Sequence, residues 1–175
     1  VDTENYQLSG HKAVVLGAGD ADQLVVSAKM ADGNRDIGLF LVDGKAQGLK
    51  IRSYQTIDAQ LAGDIWLEDV LAVCISEKGS DILSQTAAAG ALCLSAEAVG
   101  LMDVMKDATI EYVKTRKQFG TSIGSFQVIQ HRLVDLLMEI EQTRSATMLA
   151  AAHLFSKPDM RDKHISAAKN LAGRI

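Results

Sequence analysis

The chain has 175 residues, 47% of them hydrophobic, and a formal net charge of −4, so it carries enough apolar material to bury a core and is not a disordered polymer. An acidic balance without a dense Lys/Arg run gives no footprint for a nucleic-acid backbone, and no nucleic-acid partner is expected. Cys74 and Cys93 have no paired Cys or His around them, which argues against a disulfide framework or a zinc site and fits a reducing, cytoplasmic setting.

The N-terminus, V-D-T-E-N-Y, has no basic head followed by an apolar stretch, so no secretory signal is expected. It lacks methionine and begins almost inside a strand, the expectation being a piece of a longer chain. From Tyr6 to about Glu77, short β-branched runs alternate with turn residues: H-K-A-V-V-L-G, D-Q-L-V-V-S-A-K, I-G-L-F-L-V-D, G-L-K-I-R-S-Y and D-I-W-L-E-D-V. Gly19-Asp20, Asp32-Gly33-Asn34 and Asp43-Gly44-Lys45 are hairpin or loop separators, so residues 1–78 read as an antiparallel β-domain, a sheet or partial barrel. Gly17-Ala18-Gly19 imitates the opening of a dinucleotide fingerprint but fails it. Asp22 occupies the third glycine position, and a strand pattern follows where a helix is required.

After Gly79 the period changes, and residues 79–175 read as part of an antiparallel helical bundle, making the fold class α+β. Ser80 is the expected N-cap of a helix from Asp81 to about Lys117, about 55 Å long at 1.5 Å per residue. Its first half is small and apolar on nearly every face, but Ser95 and Glu97 interrupt a stretch made mainly of Ala and Gly, so a central bundle helix is expected rather than a membrane span. Glu97 is expected to be buried there. In the next helix Phe126, Ile129, Leu133, Leu136, Ile140, Thr143, Thr147, Ala150 and Leu154 recur at steps of three and four, the seam of an antiparallel bundle helix. Lys157-Pro158-Asp159 breaks it. A third helix is expected from near Asp159 into Ile175, with further helices of the bundle lying outside this sequence.

Between the first two helices lies T-R-K-Q-F-G-T-S-I-G-S-F-Q-V-I-Q-H, residues 115–131. A basic, amide-rich cluster at a bundle corner can meet an anion with side chains and a helix N-terminus. On spacing alone, Arg116 and Lys117 could equally be solvated cations complementing a helix C-terminus. Another reading is opened by the motif itself, because it closely resembles the R-K-x-F-G-x-x-I-x-x-F-Q-x-x-Q-H signature of the acyl-CoA dehydrogenases. The sheet half agrees: Y-Q-L-S-G-H-K-A-V-V-L is similar to that family's entry to its middle β-domain, and G-L-F-L-V-D to one of its strands.

The resemblance implies a flavoenzyme that removes hydrogens from the α and β carbons of an acyl-CoA, holds FAD, and passes electrons to an electron-transfer flavoprotein. It further implies a homo- or hetero-oligomer formed through the helical domain. It matches Arg116, Lys117 and Gln118 to positions that hold the FAD pyrophosphate and adenosine, with Phe119 packing nearby and Phe126 and Gln127 as a second contacting pair. Arg suits such a role because its fork of donors grips two phosphate oxygens at once. Phe126 also opens the apolar seam and has a core role regardless. His131 has no partners at metal or general-base spacing and reads as structural or interfacial.

Two departures from the family pattern bear on function. Val14-Val15-Leu16 stand where relatives commonly carry Trp-Ile-Thr against the flavin ring, which removes an aromatic face and a hydroxyl. Gly90 and Ala91 stand where some relatives carry an arginine or a catalytic glutamate, so no base is expected from this helix, and the family's usual base position lies beyond Ile175. The run A-L-C-L-S-A-E-A-V-G-L-M is similar to pimeloyl-CoA dehydrogenase small subunits, which implies a bacterial protein paired with a different large subunit. That leaves a catalytic subunit and a non-catalytic partner subunit both open.

Overall fold

The computed structural model describes residues 5–30 and 36–174. They form two compact units, Val1–Leu83 and Ser84–Ile175. The first is an antiparallel sheet of β1 (Asn5–Leu16), β2 (Gln23–Lys29), β3 (Ile37–Asp43), β4 (Leu49–Gln55) and β5 (Leu61–Ser76). Its order is β1-β5-β3-β2, with β4 also on β5. The 16-residue β5 is the hub: β1 runs along one edge, while β4 pairs with Leu61–Leu67 and β3 with Val73–Ser76 on the other. Alternation along β5 sends Ile65, Leu67, Val70 and Ala72 into a core with Leu8, Leu24, Val26, Phe40 and Val42. The Lys12 ammonium on β1 donates to the Ser27 carbonyl on β2 at 2.7 Å, joining strands from opposite ends of the sheet order, so the sheet curls as a half-barrel.

Two β-bulges shape the β1–β5 ladder. The register steps from Lys12↔Ile65 to Val15↔Gly63 and from Leu8↔Val70 to Gly10↔Leu67, which puts one extra residue on β1 and one on β5. Each bulge holds a non-glycine residue in the left-handed region, Val14 at φ 55 and Asp69 at φ 53. For β-branched Val14 this is a costly conformation. The Asp64 carboxylate compensates by accepting from the Val14 N–H at 3.1 Å and from the Tyr54 hydroxyl at 3.0 Å. At Asp69 the Ser9 hydroxyl does the equivalent, accepting from the Asp69 N–H and donating to its carboxylate at 2.7 Å. Gly17-Ala18-Gly19 is a turn into a short 3-10 segment between β1 and β2, with Gly17 left-handed at φ 71. A Cβ at Gly19 would collide with Ser53 on β4, so packing against a strand accounts for that glycine. The separator at Asp32-Gly33-Asn34 lies outside the described residues.

The second unit is built from α1 (Gly79–Thr115), α2 (Gln127–Ala152) and α3 (Pro158–Ala172), with only the first turn of α1 belonging to the first unit. Alanines let the helices approach closely: Ala88, Ala150, Ala168 and Ile165 form the buried cluster, backed by Ala91, Leu92, Ala146 and Leu154. The seam of α2 is as its period requires, with Ile140, Thr143, Thr147 and Ala150 buried and the other five members half-buried. Thr143 and Thr147 satisfy their hydroxyls on the carbonyls one turn back, at 2.9 and 2.8 Å. Arg144 on α2 grips both oxygens of Asp103 on α1 at 2.7 and 2.9 Å.

Several sequence expectations are corrected. Ser80 lies inside the first turn of α1, and its hydroxyl donates to Asp36, a partner supplied by the tertiary fold. Glu97 is exposed. The first helix stops at Thr115, because Lys117 joins a strand. The third helix stops at Ala172, where the Gly173 and Arg174 N–H groups close the last turn on Lys169 and Leu171. Many large apolar side chains of α1 and α2 are exposed, among them Leu94, Leu101, Val104, Met105, Val134, Met138 and Met148. By length and hydropathy α1 also passes for a membrane span.

Candidate functional site

The corner between α1 and α2 is a built structure. Arg116 donates its N–H to Tyr112 as the last helical bond, and its carbonyl accepts from Ile123 at 2.9 Å, folding the chain back. Between these, β6 (Lys117–Gln118) and β7 (Thr121–Ser122) form a two-residue hairpin. Its loop is Phe119 at φ 54 and Gly120 at φ 80, and two successive positive φ values make a type I′ turn. A 3-10 turn, Ile123–Ser125, then leads into α2. Gly124 fits beneath Val113 of α1, where a Cβ would stand 2.9 Å from the Val113 carbonyl. Gln130 ties this turn down by donating its side-chain amide to the Gly124 carbonyl at 3.0 Å, and Ser125 donates to the Ser122 carbonyl at 2.7 Å.

The residues singled out from sequence lie at this one corner. Arg116, Lys117, Gln118, Phe119 and Gln127 are exposed, and Phe126 is half-buried. Among the described residues neither the Arg116 guanidinium nor the Lys117 ammonium is ion-paired, whereas seven of the eight salt bridges engage five basic residues elsewhere in this unit. Gln118 spends one amide donor on the Lys117 carbonyl. Phe119, 94% exposed, meets Phe126 edge to face at 6.3 Å. No side chain caps α2 at Phe126, and the N–H groups of Gln127 and Val128 donate to no protein group among the described residues. The corner therefore presents two cations, free amide donors, the positive end of a 26-residue helix and an outward aromatic edge. That donor set suits a phosphate-bearing ligand with a planar ring, and nothing acidic in the segment opposes it. His131, one turn into α2, is exposed.

The other features are poorer candidates. A groove of about 660 Å³ on the sheet is lined by Asp43, Glu68 and Asp69 and would repel phosphate. Among the described residues no cluster of three His, Cys, Asp or Glu side chains could hold a metal ion. Val14 and Leu16 are both 61% exposed, while Val15 packs on the sheet core. The bulge that presents them was not legible in sequence, since its determinant, Asp64, is fifty positions away. The Val14 N–H, with the Tyr54 hydroxyl second, holds the Asp64 carboxyl below the usual carboxylate range. Burial, then hydrogen bonding to Asp64, pushes the Tyr54 phenol up.

A family model described as the acyl-CoA dehydrogenase C-terminal domain matches residues 77–175. The chain belongs to the acyl-CoA dehydrogenase family. It is 33% identical over 159 residues to the probable acyl-CoA dehydrogenase YngJ of Bacillus subtilis strain 168, an alignment covering 85% of this chain and 42% of that protein. The butyryl-CoA dehydrogenase structure from Megasphaera elsdenii superposes with a TM-score of 0.82 at 25% identity, over 99% of this chain and 48% of that one. A structure of PigA with FAD and proline does so at 0.80 and 25%, over 97% and 48%. The chain thus spans about half the length of the relatives it matches. The α1–α2 corner falls inside the matched family domain, and the half-barrel and helices correspond to the acyl-CoA dehydrogenase middle and C-terminal domains.

Proposed function

We propose that these residues form part of an FAD-dependent acyl-CoA dehydrogenase acting on a CoA thioester. The observation that carries this reading is the corner at residues 116–127, where exposed, unpaired Arg116 and Lys117 stand beside uncapped α2 amides within the family-matched domain. Arg116 would hold the FAD diphosphate with its guanidinium fork, Lys117 would add a point charge, and Gln118 and Gln127 would donate amide hydrogen bonds. Phe119 and Phe126 would pack against the nucleotide. When bound, FAD supplies the hydride acceptor for α,β-dehydrogenation. The exposed apolar faces of α1 and α2 support assembly with further bundle helices, in a homo- or hetero-oligomer, with an electron-transfer flavoprotein as electron acceptor. The Asp103–Arg144 pair, which ties α1 to α2, supports reading α1 as a bundle helix rather than a membrane span. The acidic net charge of −4 fits a protein without a nucleic-acid partner, and the setting proposed for it is the cytoplasm.

A second reading is a partner subunit with a reduced flavin site, favoured by aliphatic Val14-Val15-Leu16. Arg116→Ala in the full-length assembly tests the first. It is expected to weaken FAD binding roughly 10- to 100-fold, as loss of a charge-assisted contact does. Unchanged flavin stoichiometry after gel filtration would remove Arg116 from the site. Yellow protein purified without any large subunit would count against the partner reading.

A further inference from the structure

The α2–α3 corner holds a pair of histidines that the proposed chemistry does not use. His153 and His164 stack with ring centroids 4.4 Å apart and planes at 14°, both half-buried. His153 is the C-cap of α2, its N–H donating to the Leu149 and Ala150 carbonyls. Its Nδ1 pairs with the Ser156 hydroxyl at 3.1 Å, and the Ser156 N–H returns a bond to the His153 carbonyl. His164 lies in the second turn of α3, which Pro158 starts. The stack is therefore a side-chain link across the joint, beside the packing of Ala150 on Ile165 and Ala168.

We infer that this corner is a proton-operated joint: the two stacked imidazoles accommodate one charge, and mild acid that charges both loosens α3 from α2. Two neutral rings attract as aromatic planes. His153 sits at the carbonyl end of α2. With both rings protonated, two like charges would face each other in a half-buried site. Among the described residues no acidic group offsets this repulsion. Besides His153, the charge acting on His164 is Lys163 on its own helix, also positive, and the apolar cluster beside the joint takes only Ala88, Ala91 and Leu92 from α1. Burial first, then His153, then Lys163, holds His164 below its ordinary value of 6.5. The sign follows: the unfolded chain takes up the proton first, so the stability is complete above 6.5 and is lost as pH falls through the lower folded value.

Thermal unfolding between about pH 7.5 and pH 5, with ring titration by proton NMR, tests this. The melting temperature of the wild-type protein should fall over that range by several degrees more than that of His164→Gln or His153→Gln. The His164 ring should titrate below 6.5, and amides of residues 153–164 should exchange about threefold faster in acid after correction for intrinsic rates. A wild-type slope retained in both variants overturns the inference, as does His164 titrating at or above its ordinary value. If the variants fail to fold, the wild-type titration decides alone.

Discussion

The two corners of the helical unit solve the same connection problem in opposite ways. At the α1–α2 corner the chain makes a hairpin and a 3-10 turn, bonds its own backbone through Gln130 and Ser125, and leaves Arg116, Lys117 and the first α2 amides unengaged. At the α2–α3 corner the least exposed polar side chains are spent on the protein, while Lys157 and Lys163 stay exposed. Arg161, 6% exposed, donates to Ser84 at the start of α1 and to Asp162, both at 2.7 Å, while His153 is committed to Ser156 and His164. A joint that only packs helices consumes its donors. One that keeps its backbone rigid and its donors open is shaped for something outside the protein.

Arg161→Ala should give the largest effect on stability. Removing a buried guanidinium that bridges α3 to α1 is expected to cost about 2–3 kcal/mol by urea unfolding, against a change within about 0.5 kcal/mol for Arg116→Ala. Equal effects at the two arginines would erase the distinction between the corners. Gly120→Ala comes next. Its φ of 80 disfavours any L side chain, yet a Cβ there meets nothing within 4 Å. The cost should therefore be purely conformational, about 1 kcal/mol. A much larger loss would mean that the hairpin supports the whole unit rather than only its exposed loop.

Much of this was legible from sequence where a period or a motif is local. The α2 seam from Phe126 to Leu154 was readable because helical spacing repeats over many turns, and the five strands because β-branched runs sit between turn residues. The candidate corner was found through its motif. Its shape was missed, because strands as short as Lys117–Gln118 carry no alternation and Phe-Gly lacks the Asn or Asp that usually marks a two-residue turn. Positions decided by distant partners were illegible: Ser80 looks like a cap until Asp36 takes its hydroxyl, and Val14 looks like an ordinary strand residue until Asp64 holds it at positive φ. Glu97 looked buried because its neighbours are small and apolar, but on a helix of such even hydrophobicity sequence does not say which face is covered.

Phe119→Asn gives the smallest expected effect and the sharpest one. At φ 54 a phenylalanine is strained, whereas asparagine adopts that region readily, and a ring 94% exposed with only an edge contact to Phe126 contributes little burial in return. Replacement should therefore raise stability by about 0.5–1 kcal/mol, read as a shift of the urea midpoint at constant slope. If the corner holds FAD, the same variant should retain less flavin than the wild-type assembly. Opposite signs in the two measurements are what a ligand-facing position predicts, since strain is kept there only for what the ring meets outside the chain. A loss of stability instead would mean that Phe119 is already packed in the native assembly, and the α1–α2 corner would then be of the same kind as its neighbour.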